Sequence, residues 1–171
     1  MLLFCVFLQF SFFDILFPWF RAPLFLLGVV VILTLVRGFP SALLMTVPVT
    51  LLYDATTLGQ VTWFSVYAVI FSYGTSFLSR RLLIEHQGFG LALYAVIAFG
   101  GTLMYQLVFS FLIYTPISSG APSFMVLMPQ GEHLIFSLAL FSPVFIVTYV
   151  LIQRFEGYLT SIQQRKFQHV R

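Results

Sequence analysis

The sequence predicts an all-α polytopic membrane protein, a single bundle of six transmembrane helices with both termini in the cytoplasm. Three observations predict it. The 171 residues are 60% hydrophobic and 8% charged, with a mean hydropathy of +1.03, whereas a soluble domain carries about 25% charged residues. That much apolar surface exceeds what the chain can hide within itself, so lipid is its solvent. The apolar runs are continuous rather than alternating, which argues against a β-barrel. The basic residues also divide unevenly once the runs are counted as spans.

A spanning helix takes roughly 20 apolar residues. Six segments serve, at about 1–20, 22–36, 39–53, 61–79, 89–113 and 132–152. The first is apolar from its start. It lacks the basic n-region and small-residue cleavage site of a secretory signal, so it reads as an uncleaved span. Its Cys5 is the single cysteine of the chain. It forms no internal disulfide and reads as a packing or lipid-facing residue. The second and third segments have about 15 residues each, some 22 Å of helix, and only Arg37-Gly38 separates them. They are two short spans or a re-entrant hairpin. Two spans is the reading the charges favour. With the N-terminus inside, Arg37, Arg80, Arg81, Arg154, Arg165, Lys166 and Arg171 all fall inside and only Arg21 falls outside, which is the positive-inside bias. Asp14, Asp54 and Glu132 fall outside, Glu85 and Glu156 inside.

Pro48 and Pro143 fall mid-span and are expected to kink their helices, with Thr46 and Ser142 placed to satisfy the freed carbonyls. The outer loop 114–131, rich in proline, serine and glycine, excludes helix and reads as a connector or partner-binding loop. Residues 1–152 form the transmembrane domain. Residues 153–171 form a cytoplasmic basic tail and suit a short interfacial helix, with Phe155, Leu159 and Ile162 on one face and Arg165 and Lys166 near anionic headgroups.

Few residues are placed for chemistry. Asp54 ends the third span beside the polar stretch ATTLGQ. It reads as a helix cap or turn organiser, with contact to a partner as the sharper alternative. Glu132 and His133 are adjacent on a helix and diverge, and the other histidines belong to the opposite side, so no metal site is expected. Glu132 instead suits the positive end of the last helix. No nucleophile–base constellation, phosphate loop or intramembrane-protease signature occurs, so no catalytic residue and no cofactor is expected. A net charge of +3 does not point to nucleic acid. Packing signals are clearer. Ser65, Ala68, Ser72 and Ser76 recur at helical spacing in the fourth span, and Ala98, Gly101 or Thr102, and Tyr105 do so in the fifth. Small residues let membrane helices approach closely, and these two stripes are expected to pack together or to form a docking face. Tyr105 and Gln106 are the candidate buried polar pair, for interhelical hydrogen bonding or a small ligand.

Over roughly residues 8–83 the chain resembles the rod shape-determining protein MreD family. The resemblance rests on Gln9 and Ser11 in the first span, Pro23 leading the second and the Arg37-Gly38 turn. It rests also on Asp54 followed by Gly59, and on Arg80-Arg81 closing the fourth span. Leu24 stands where the family often has an acidic residue, and Thr50 where it often has glycine. The resemblance implies a non-enzymatic scaffold or adaptor of the cell-wall elongation complex, multi-pass in the bacterial cytoplasmic (inner) membrane. Its implied turn or partner-contact residues are Arg37, Gly38, Asp54 and Gly59. Its implied partners are membrane lipid, an MreC-like coiled-coil membrane protein and, more loosely, a RodA-type glycosyltransferase and a class B transpeptidase. MreD-type proteins resemble in fold the S components of energy-coupling-factor transporters. A vitamin-binding S component is accordingly the alternative function. Against it, the first span lacks the alanine pattern through which S components dock.

Overall fold

A computed structural model describes residues 7–16, 23–56, 63–82, 89–114 and 131–168. Among these residues all regular structure is helical, with no strand. Six helices follow one another. Helix α1 covers 7–16 and contains a π-helical turn, Gln9–Phe13. The others are α2 (Leu24–Arg37), α3 (Phe39–Thr56), α4 (Phe64–Leu82), α5 (Phe89–Tyr114) and α6 (Gly131–Gln168). Two of them, α5 over Phe89–Val108 and α6 over Glu132–Leu159, are long and apolar enough to cross a membrane, and α2 is apolar but shorter.

The centre of the bundle is α2, which touches each of the other five helices. Every residue from Leu24 to Thr34 is buried. A helix that is apolar all round suits either a protein core or lipid, and here protein covers the run LFLLGVVVIL. Its glycine has a specific use. A Cβ at Gly28 would stand 2.9 Å from the ring tip of Phe141, so the missing side chain is what lets α6 lie against α2. The α2–α3 turn depends on Gly38, whose φ of +77° is in the region that L side chains avoid. Its N–H closes α2 by bonding to Thr34 O, and its carbonyl accepts from Ala42 N–H to open α3, both at 3.0 Å.

The contacts fix helix directions. Gly28 of α2 meets Phe141 and Phe145 of α6, while Arg37 at the end of α2 meets Glu156, so α2 and α6 run parallel. Thr34 and Ser72 join their hydroxyls at 2.6 Å, and Asp54 at the end of α3 bonds to Ser65 at the start of α4. Helix α4 therefore also runs with α2, and α3 runs against them. Tyr67 donates to Gly101 O at 2.6 Å; Phe71 lies against Gly101 while Phe64, nearer the start of α4, meets Tyr105, so α5 runs against α4.

The segments expected at 22–36, 39–53, 61–79 and 89–113 match α2 to α5 to within three residues. The last does not. Helix α6 continues past 152 without a break, through Gly157, to Gln168, a length of about 57 Å. Pro48 and Pro143 sit inside continuous helices. The carbonyl relief expected from Thr46 and Ser142 does not occur. Ser142 donates to Leu138 O rather than to Ala139 O, the carbonyl that Pro143 frees, and the Thr46 hydroxyl is buried with no hydrogen-bond partner.

Candidate functional site

Among the described residues the charged side chains gather at the two ends of the bundle. At one end, helix α2 begins with Pro23 as its N-cap residue and no side-chain cap of its own. A helix start leaves orphan amides, and here they are buried. Gln9 reaches across from α1 to meet them. Its Oε1 accepts from Phe25 N–H at 3.0 Å and from Leu26 N–H at 3.3 Å. Its Nε2 donates to Asp14 Oδ1 at 2.6 Å. Gln9 is 1% exposed. The π-helical turn supports this arrangement, since Asp14 N–H bonds to Gln9 O across the widened turn. Phe13 stacks on Phe25 with ring centroids 4.5 Å apart and fixes the same junction.

Asp54 works similarly one helix on. Its Oδ2 accepts from Ser65 N–H at 2.9 Å, so a carboxylate from α3 caps the start of α4 and favours the positive helix end. Between the Gln9 and Asp54 junctions the rings form a chain. Phe10 stacks on Tyr53, Tyr53 meets Phe64 edge-on, and Phe64 meets Tyr105 the same way. Such pairs are worth about 0.5–1.5 kcal/mol each beyond their buried area. They tie α1, α3, α4 and α5 together at this level.

The opposite end is basic. Arg37 Nε donates to Glu156 Oε1 at 3.0 Å, and its Nη2 bonds to the same oxygen. Arg80, Arg81 and Arg154 are exposed, and Arg81 lies over the Phe77 ring at 5.0 Å. Given the helix directions, all four arginines share one end. Asp14, Asp54 and Glu132, which falls in the first turn of α6, share the other. Between the ends the girth is apolar: Leu44 is 80% exposed, Ile70 65%, Met104 61% and Ile135 74%.

The residues singled out from sequence divide between these places. Arg37 and Gly38 lie together at the arginine end and Asp54 at the acidic end; Gly59 lies outside the described residues, as does the loop expected over 114–131 except for its end positions. On α4, Ala68 and Ser72 are fully buried and Ser65 and Ser76 half-buried. Of this stripe, Ser72 turns to α2 through its bond to Thr34. The α5 stripe is buried at Ala98, Thr102 and Tyr105. Helices α4 and α5 touch where Gly101 receives the Phe71 ring, which leaves no room for a Cβ there, and where Tyr67 and Tyr105 meet. Tyr105 and Gln106 are both buried, with the Tyr105 ring engaged by Phe64 and Tyr67.

Three features escaped the sequence reading. The capping role of Gln9 had a signal in the absence of Ser, Thr, Asp or Asn next to Pro23, which obliges the cap to come from elsewhere. Glu156 had one in its assignment to the same side as Arg37. The Tyr67–Gly101 bond had none.

Most of these contacts join one helix to another or to a helix end. Among the described residues no group of three or more histidine, cysteine, aspartate or glutamate side chains is arranged to hold a metal. No known protein family, curated protein or solved structure matches the chain.

Proposed function

We propose that the chain is a six-span, non-enzymatic subunit of the bacterial cytoplasmic membrane, an MreD-type scaffold of the cell-wall elongation complex. The observation that carries the membrane part of the reading is that, among the described residues, the arginines and all carboxylates but Glu156 lie at opposite ends of an exposed apolar girth. Lipid accepts such a girth, and the positive-inside rule then gives the arginine end to the cytoplasm. The short α2 fits this picture. Its 14 residues reach about 21 Å, less than the ~30 Å of hydrocarbon, but a sheathed helix need not match the bilayer. The pairing of Arg37 with Glu156, near the far end of the apolar stretch of α6, supports a full crossing by α2 and α3 over a re-entrant hairpin. In a hairpin Arg37 would sit at mid-depth.

The scaffold part rests on the resemblance over residues 8–83 and on the use made of the polar side chains. Gln9, Asp54, Arg37 and Ser72 each join helices, which suits a protein that acts through its helix faces. The implied partners are an MreC-like coiled-coil protein and, beyond it, a RodA-type glycosyltransferase and class B transpeptidase. Depletion in a rod-shaped host is expected to round the cells, and affinity capture from solubilised membranes to recover the coiled-coil partner. Normal rods after clean deletion, with no paralogue present, would end this reading. A vitamin retained through purification, seen by mass spectrometry, would move the assignment to a transporter S component.

A further inference from the structure

We infer that the arginine end of the bundle, with the part of α6 that overshoots it, is a docking surface for anionic phospholipid headgroups. This rests on the membrane placement proposed above. The apolar stretch of α6, Glu132–Leu159, has 28 residues, about 42 Å of helix, against a hydrocarbon layer of about 30 Å. The surplus lies at the arginine end. There Ile152 is the last buried side chain among those described, and beyond it Phe155, Tyr158 and Leu159 are exposed. Aromatic side chains of this kind belong at headgroup level, where ring and water are both accommodated.

Charge selects the occupant. Glu156 is the only carboxylate among the described residues of this end, and Arg37 bonds to it. Arg80, Arg81 and Arg154 are exposed, and no carboxylate of the described residues pairs with them. Arg165 and Lys166 follow on the same helix. Two copies of so basic an arm repel one another, which disfavours a self-paired helix as the occupant. Phosphodiester headgroups with a net negative charge fit both the arginines and the apolar face beside them.

The test uses the full chain in vesicles, with both native tryptophans, Trp19 and Trp63, replaced by phenylalanine. One reporter is Phe155→Trp on the overshoot. A second is Val147→Trp, on the exposed girth of the same helix. Quenching by brominated phosphatidylglycerol is compared with quenching by brominated phosphatidylcholine. At position 155 phosphatidylglycerol is expected to be preferred about five- to tenfold, allowing for partial engagement of three arginines, and the preference is expected to collapse in ~1 M salt, where the screening length is about 3 Å. Arg80→Gln, Arg81→Gln and Arg154→Gln together are expected to bring the ratio to about one. At position 147 both lipids are expected to quench. Equal quenching by the two lipids at 155, with quenching retained at 147, overturns the inference and leaves the membrane placement standing. Absence of quenching at both positions overturns the two together.

Discussion

Replacing Gln9 by leucine removes a side chain that serves a helix to which it is not covalently close. The two amides it accepts, Phe25 N–H and Leu26 N–H, sit on residues that are 6% and 0% exposed, so water does not replace the lost acceptor. A buried donor left unpaired costs about 1–3 kcal/mol. The bond to Phe25 at 3.0 Å is the stronger and that to Leu26 at 3.3 Å the weaker, which sets the expected loss at about 2–4 kcal/mol for the pair. Leucine keeps most of the volume, so little of this is cavity. The contrast with Ser72→Ala is informative, because interhelical side-chain bonds within membranes average only about 0.6 kcal/mol. Unfolding in mixed micelles with increasing SDS, followed by far-ultraviolet circular dichroism, measures both. Asp14→Asn serves as the control, since it keeps an acceptor for Gln9 Nε2 and is expected to cost under about 0.5 kcal/mol. A loss below that figure for Gln9→Leu, or an equal loss for Asp14→Asn, would refute the capping argument.

Three further outcomes are expected. Asp54→Ala removes the cap of α4 at a cost of about 1 kcal/mol, leaves the protein inserted, and loosens the outer turn or a partner contact; Asp54→Asn should recover most of the stability in the same unfolding titration. Gly28→Ala drives a methyl into the Phe141 ring and is expected to cost about 1–3 kcal/mol, with Phe141→Leu restoring much of it; additive losses in the double variant would show that the close approach is not the cause. Arg37→Glu sets two carboxylates together and removes the basic residue of the α2–α3 turn, so the turn should lose its fixed side, while Arg37→Glu with Glu156→Arg should regain it. A cysteine at exposed Ser41 reports this better than one at Gly38, whose positive φ strains any replacement. In the parent it should label only from the cytoplasm and a cysteine at Gly59 only from outside.

The helices were legible because continuous apolar runs are broken by short polar ones, and the α2–α3 division because Arg-Gly punctuates an otherwise unbroken stretch. Which helix stands at the centre was not. In water, a helix apolar on every side announces its burial. In lipid the outward faces of α4, α5 and α6 are apolar too, at Ile70, Met104 and Ile135, so the contrast disappears. The last span and the helix expected in the tail proved to be one continuous helix, for a different reason. Arg154, Glu156 and Gly157 look like an exit from helix, yet a mid-helix glycine costs only about 1 kcal/mol, and the bond from Arg37 to Glu156 holds the helix in register past that point. The polar junctions were half-legible. Asp54 capping a helix eleven residues away is a local event with a local signature. Gln9 serving amides sixteen and seventeen residues on has none in its own neighbourhood.

The sheathing of α2 has a consequence for the order in which the molecule is made. Helix α2 leaves the ribosome well before α6, yet its cover is completed by Phe141, Phe145 and Glu156, which are translated more than a hundred residues later. In the membrane placement proposed above, one flank of α2 borders acyl chains until then, and a helix of about 21 Å is too short for them. The bilayer must thin around it, or Arg37 must be drawn below the headgroups without its carboxylate. Release of α6 relieves both conditions at once. The nascent chain is therefore most exposed to quality-control proteases in the interval between α5 and α6, and truncation before Glu156 should be cleared from the cell even though five of the six helices are complete.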